Sequence, residues 1–123
     1  MINLNKLNGN WDSPFDKVDS EKFRFVDRKN FTDFGKDFLL LGVYQNNSKL
    51  GKQTVFICSE VNDTSKGFRF STNDVTKFNA IMGDNELIEA IKQKKITVAF
   101  EKYHSEKWCK DCIGTTFKEF NLF

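Results

Sequence analysis

The stretch that decides the fold is DFLLLGVYQ, residues 37–45, an apolar run from Phe38 to Tyr44 held between Asp37 and Gln45. It is far too short to cross a membrane, which takes about 20 apolar residues. At the period of two expected of a strand it has two sides. Leu39, Leu41 and Val43 form one, and Phe38, Leu40, Gly42 and Tyr44 form the other. A glycine inside such a run marks a bend or a bulge, the irregularity that a sheet needs to close into a barrel.

The neighbours of this stretch follow the same period. After the polar turn NNSKLG (46–51), KQTVFICSE (52–60) reads as the next strand. A second turn, NDTSKG (62–67), leads to GFRFS (67–71), where Phe68 and Phe70 share one side and Arg69 takes the other. On the N-terminal side, KFRFV (22–26) alternates in the same way and reads as a short extra strand. Residues 1–20 are rich in Asn and Asp and read as an irregular arm in front of a single domain, 21–123.

The period then lengthens. In TNDVTKFNAIMG (72–83), Val75, Phe78 and Ile81 or Met82 fall at helical spacing behind the capping residues Thr72, Asn73 and Asp74. Gly83 stops that helix. Asp84 caps a second helical stretch, DNELIEAIKQKK, whose stripe is Leu87, Ile88 and Ile91. ITVAFEKY (96–103) and IGTTFKEF (113–120) return to strand. Three strands, a helical segment and two more strands form the element order of the OB-fold, a mainly β, five-stranded Greek-key barrel with its helix between strands 3 and 4.

Composition narrows the function. The chain has 123 residues, enough for one core without disulfides. Its formal net charge of +2 is too small to argue for nucleic-acid binding by itself. Three cysteines, an odd number, suit a reducing cytoplasm. The N-terminal residues show no secretory leader and no stretch suits a membrane. Fourteen phenylalanines exceed what a small core needs, so some are expected on a binding surface.

Catalytic patterns are absent from the sequence. A single histidine, His104, cannot build the usual triads, and the glycines form no phosphate-binding loop. No enzymatic activity and no cofactor are expected. WCKDC (108–112) keeps a second reading open. Cys109 and Cys112 have the spacing of one zinc knuckle or of a redox pair, with Cys58 and His104 as the remaining soft ligands. A small zinc-stabilised or thiol-active protein is the alternative that this motif supports.

The aromatic and basic residues support a binding reading. In an OB barrel the outer side of the first three strands, with the loops after strands 1 and 4, grips single strands. Tyr44, Phe68, Phe70 and Trp108 are the candidates to stack on bases. Lys49, Lys52, Lys66, Arg69 and Lys107 are the candidates to neutralise phosphates. GFRFS leaves one choice open. If Phe68 and Phe70 point outward they stack on bases, and if inward Arg69 becomes the surface residue.

Taken together, the strands at 37–45, 52–60, 67–71, 96–103 and 113–120 with their intervening helix resemble the small OB-fold single-stranded DNA-binding proteins of lactococcal phages. The resemblance implies sequence-tolerant binding of single-stranded DNA during phage DNA replication or recombination in the host cytoplasm. It also implies a homo-oligomer, with phage replication or recombination proteins as partners. The ending KEFNLF differs from that of bacterial proteins with this role: Phe123 is there, without the preceding acidic run.

Overall fold

The computed structural model describes residues 15, 21–27, 30–48, 51–107 and 110–120. Five strands form one antiparallel sheet: β1 (Phe38–Ser48), β2 (Gly51–Glu60), β3 (Asp63–Thr72), β4 (Ile96–Ser105) and β5 (Lys110–Glu119). Two helices, α1 (Val75–Met82) and α2 (Asn85–Lys92), lie between β3 and β4 in the chain. The order across the sheet is β3-β2-β1-β4-β5. The mainly β class and the element order therefore match the sequence reading. The closed barrel does not: closure of this order needs a ladder between β3 and β5, and these two strands are instead the edges.

The bulge anticipated in DFLLLGVYQ is present and has a definite effect. Leu40 pairs with Cys58, but Gly42 pairs with Ile57, so Leu41 is the extra residue of β1. An extra residue moves every later side chain to the opposite face. Phe38, Leu40 and Val43 all join the buried cluster, mixing the two sides that a strict period of two keeps apart. Tyr44 is thereby turned away from the core.

The sheet is strongly curled around an aromatic interior. Phe70 on β3 and Phe100 on β4 stack with ring centroids 4.1 Å apart and planes 15° from parallel. Two strands separate β3 from β4, a lateral distance of about 14 Å in a flat sheet. Only curvature lets these rings meet. Phe56 on β2 likewise comes within 6.0 Å of Phe117 on β5. The segment before β1 contributes Phe31, which sits 5.2 Å from Phe70 and 4.9 Å from Phe34. Gly35, with φ of 85°, turns this segment into β1 and donates its N–H to the Phe100 carbonyl.

The helices cover the interior from the β1 and β2 side. Each has only eight residues, a length that is marginal without tertiary contacts. Their starts are fixed by the aspartates expected from the sequence. Asp74 accepts a hydrogen bond from the Thr76 N–H, and Asp84 from those of Glu86 and Leu87. Ile81 and Ile91 are buried, with Phe78, Met82 and Ile88 against the same cluster. The second helix ends with Lys94 at φ 61°, a left-handed position usually given to glycine.

Ten of the fourteen phenylalanines belong to the buried cluster or pack on it. The high aromatic content is thus mostly core, and of the phenylalanines outside it Phe25 is exposed. Among the described residues, no helix is long and apolar enough to cross a membrane.

Candidate nucleic-acid interface

GFRFS in β3 lies at the centre of the candidate surface, and its pleat settles the choice the sequence leaves open. Phe70 pairs with Phe56 and Phe68 with Cys58, all on the inner side. Phe70 is wholly buried. Phe68 is partly buried, edge-on to Phe38 at 4.8 Å. Phe70 offers no face to a base and Phe68 is turned to the inner side against Phe38, which corrects their assignment as outward stacking residues. The cause is the curled sheet, whose narrow interior needs large rings from every strand.

Arg69 consequently lies on the other side of the sheet, in a cross-strand row with Ile57 and Gly42. This side is partly covered, since Ile57 is wholly buried and Phe15 packs on Gly42, while Arg69 itself is half-buried. Its Nη1 donates to the Tyr44 hydroxyl at 3.0 Å. Its Nε donates to the Phe23 carbonyl at 2.6 Å. The guanidinium carbon lies 4.1 Å from the centre of the Phe25 ring, a cation–π contact. Tyr44 and Arg69, two sequence-predicted residues, are thus brought together, each turned outward by a different device. The bulge turns Tyr44; the ordinary alternation of β3 turns Arg69.

Phe23 and Phe25 come from a segment that the sequence reading treats as an extra strand and not as part of the site. The structure lays this segment parallel to β3. Arg69 donates its N–H to the Arg24 carbonyl, and Val26 donates to the Arg69 carbonyl, both at 2.9 Å. These bonds occupy the edge that β3 would need for pairing with β5. The signal that would have revealed the contact is Gly67. A Cβ there would run into the Phe23 ring, so the glycine is a notch for it. Gly42 does the same for Phe15, whose Cβ would be 3.0 Å from a Cβ added to the glycine. Phe15 is buried, whereas Phe25 is 47% exposed.

The remaining basic candidates are spread along the molecule. Lys52 is exposed beside the β1–β2 turn, Lys66 is exposed in β3, and Lys107 is exposed in the turn before β5. Lys49 and Trp108 lie outside the described residues. Phe38 pairs with Val98 and the two strands are antiparallel. The β1–β2 and β4–β5 turns therefore project from opposite ends of the β1–β4 ladder, so the strand register does not gather Lys52 and Lys107 into one patch.

The cysteine motif is only partly a loop. Lys110, Asp111 and Cys112 belong to β5, where Cys112 pairs with Tyr103 and Asp111 with His104. Cys109 lies outside the described residues. Cys58 is wholly buried, and burial raises its thiol pKa far above the ordinary value, since no charge or donor compensates the thiolate. Among the described residues, no group of three or more His, Cys, Asp or Glu side chains is placed to hold a metal ion.

Among the described residues, Tyr103 is exposed besides Phe25, 53% accessible and lying over Gly114 of β5. Compared with known protein families, with curated proteins and with solved structures, the chain matches none.

Proposed function

We propose that the protein binds single-stranded DNA without sequence preference, on the outward side of β1, β2 and β3, through an OB-like sheet left open between β3 and β5. The observation that carries this reading is the setting of Arg69: its Nη1 donates to the Tyr44 hydroxyl, and the Phe25 ring lies 4.1 Å from its guanidinium carbon. A guanidinium plane that takes an aromatic ring can take a nucleobase in the ring's place, with its N–H groups then reaching phosphate oxygens. Lys52 and Lys66, exposed on β2 and β3, supply further positive charge. Lys107, at the opposite end of the β1–β4 ladder, is reached only by a strand that runs on past these, and Lys49 and Trp108 complete the proposed set. The role is that of a phage replication or recombination protein, acting in the host cytoplasm as a homo-oligomer alongside other phage proteins.

The test is a fluorescence titration of the full chain with labelled oligo(dT) at several salt concentrations, with duplex DNA as the control. Binding in the micromolar range or tighter, favouring the single strand and weakening as salt rises, is the expected result. Arg69→Ala should weaken it roughly tenfold, while Arg69→Lys, which keeps the charge and loses the planar fork, should restore only part of the loss. Equal affinity for duplex and single strand, or no response to either Arg69 variant, would end this reading.

A further inference from the structure

We infer that the segment Phe23–Val26 is a built-in competitor for the single-strand site, holding Arg69 by imitating a nucleotide and leaving when a strand binds. The inference rests on the single-strand reading above and adds the regulation of that site.

Each contact that this segment makes has a counterpart in a bound nucleotide. The Phe25 ring lies 4.1 Å from the guanidinium carbon, where a base would stack. The Phe23 carbonyl accepts from Arg69 Nε at 2.6 Å, where a phosphate oxygen would accept. Tyr44 occupies Nη1 and fixes the plane of the group. With the segment in place, Arg69 has little left to offer a ligand, although β3 presents it on the outer side of the sheet.

The attachment is also weak enough to be displaced. The segment is joined to β3 by a single isolated bridge with two backbone hydrogen bonds, both at Arg69. Phe23 and Phe25 do not join the aromatic interior in the way that Phe31 and Phe34 do, whereas Val26, at the end of the segment, packs against that cluster and anchors it there. Phe23 is only partly buried and rests in the Gly67 notch, and Phe25 is 47% exposed. Locally attached segments of this kind open at far lower free-energy cost than the core. The bound strand would repay that cost with the same two contacts plus phosphate charge, which a carbonyl does not carry.

The competitor lowers apparent affinity by the fraction of molecules in which the site is open. Two variants of the full chain release it without touching Arg69 or Tyr44. Phe23→Ala empties the notch, and Gly67→Ala fills it with a methyl group that evicts the ring. Both are checked for folding by thermal unfolding before oligo(dT) titration. A segment that covers the site about nine-tenths of the time predicts a gain in affinity of roughly tenfold in each.

Trypsin cleavage after Lys22 and Arg24 of the unmodified protein gives a second readout, independent of any variant. Cleavage should accelerate when oligo(dT) is added. Unchanged or weaker binding by Phe23→Ala, together with unchanged or slower cleavage, would overturn the competitor while leaving single-strand binding intact. Absence of binding by the unmodified protein and by both variants would remove the single-strand reading itself, and the competitor with it.

Discussion

The two faces of β3 hold aromatic rings by opposite means. On the inner face Phe70 is wholly buried, stacked on Phe100 and edge-on to Phe31. On the outer face, one residue away, Arg69 carries Phe25 at 4.1 Å, and Phe23 rests on Gly67. The inner rings are locked because neighbours surround them and their contact is apolar throughout. The outer rings touch the sheet on one side only and depend on a charged group that water can also solvate. Similar ring-on-strand geometry thus serves stability in one place and exchange in the other.

The comparison is broken most directly by truncating a ring on each face. Phe70→Ala is expected to cost about 3–5 kcal/mol, read as a shift in the urea unfolding midpoint. A cost below about 1 kcal/mol would mean that the aromatic interior does not hold the sheet in its curl. Phe23→Ala, removing a half-buried ring from a shallow notch, should cost about 1–2 kcal/mol. Equal losses for the two variants would erase the distinction between the faces.

A smaller effect tests a site that belongs to neither face. Lys94 adopts φ 61°, a conformation that costs a side-chain-bearing residue about 1 kcal/mol relative to glycine. Lys94→Gly is therefore expected to stabilise the protein by up to about 1 kcal/mol, with no change in oligo(dT) binding. Smaller still is the exposed Lys36–Glu60 pair, at 3.0 Å. Glu60→Gln should lose at most about 1 kcal/mol, and the loss should fade in high salt.

Thiol chemistry separates the faces without a change in stability. Cys58 lies on the inner side and is wholly buried, with its thiol held protonated by burial. Cys112 is only partly buried. A water-soluble thiol reagent at pH 8 is expected to label Cys112 in the folded protein and Cys58 only as the protein unfolds. The pH dependence has a definite sign: a thiol whose pKa is raised by folding supports stability below its unfolded value. That support declines as pH rises from about 8.5 toward the folded value. Cys58→Ala should remove this alkaline component from the stability profile.

Much of the fold is written locally. The strands of KQTVFICSE and ITVAFEKY, the switch from period two to helical spacing after Thr72, and the caps Asp74 and Asp84 all follow from nearest-neighbour chemistry. The bulge is foreshadowed by Gly42, but its position is not. Period alone puts Leu40 and Val43 on opposite faces, and only the pairing of Gly42 with Ile57 shows that they share one. The candidate site was legible in Arg69 and Tyr44 and illegible in Phe23 and Phe25, because their partners lie 46 residues away in the case of the Phe23 carbonyl and Arg69.

The sequence by itself determined the strands, the helices, their order and the alternation that sets Arg69 against Phe68 and Phe70. Tertiary structure alone decided which of those faces is the inside, because that depends on how far the sheet curls and on which rings meet across it. It also decided that β3 pairs with the segment before β1 at Arg69, and not with β5. Alternation fixes which residues stand back to back on a strand; only the surrounding surfaces fix which back is buried.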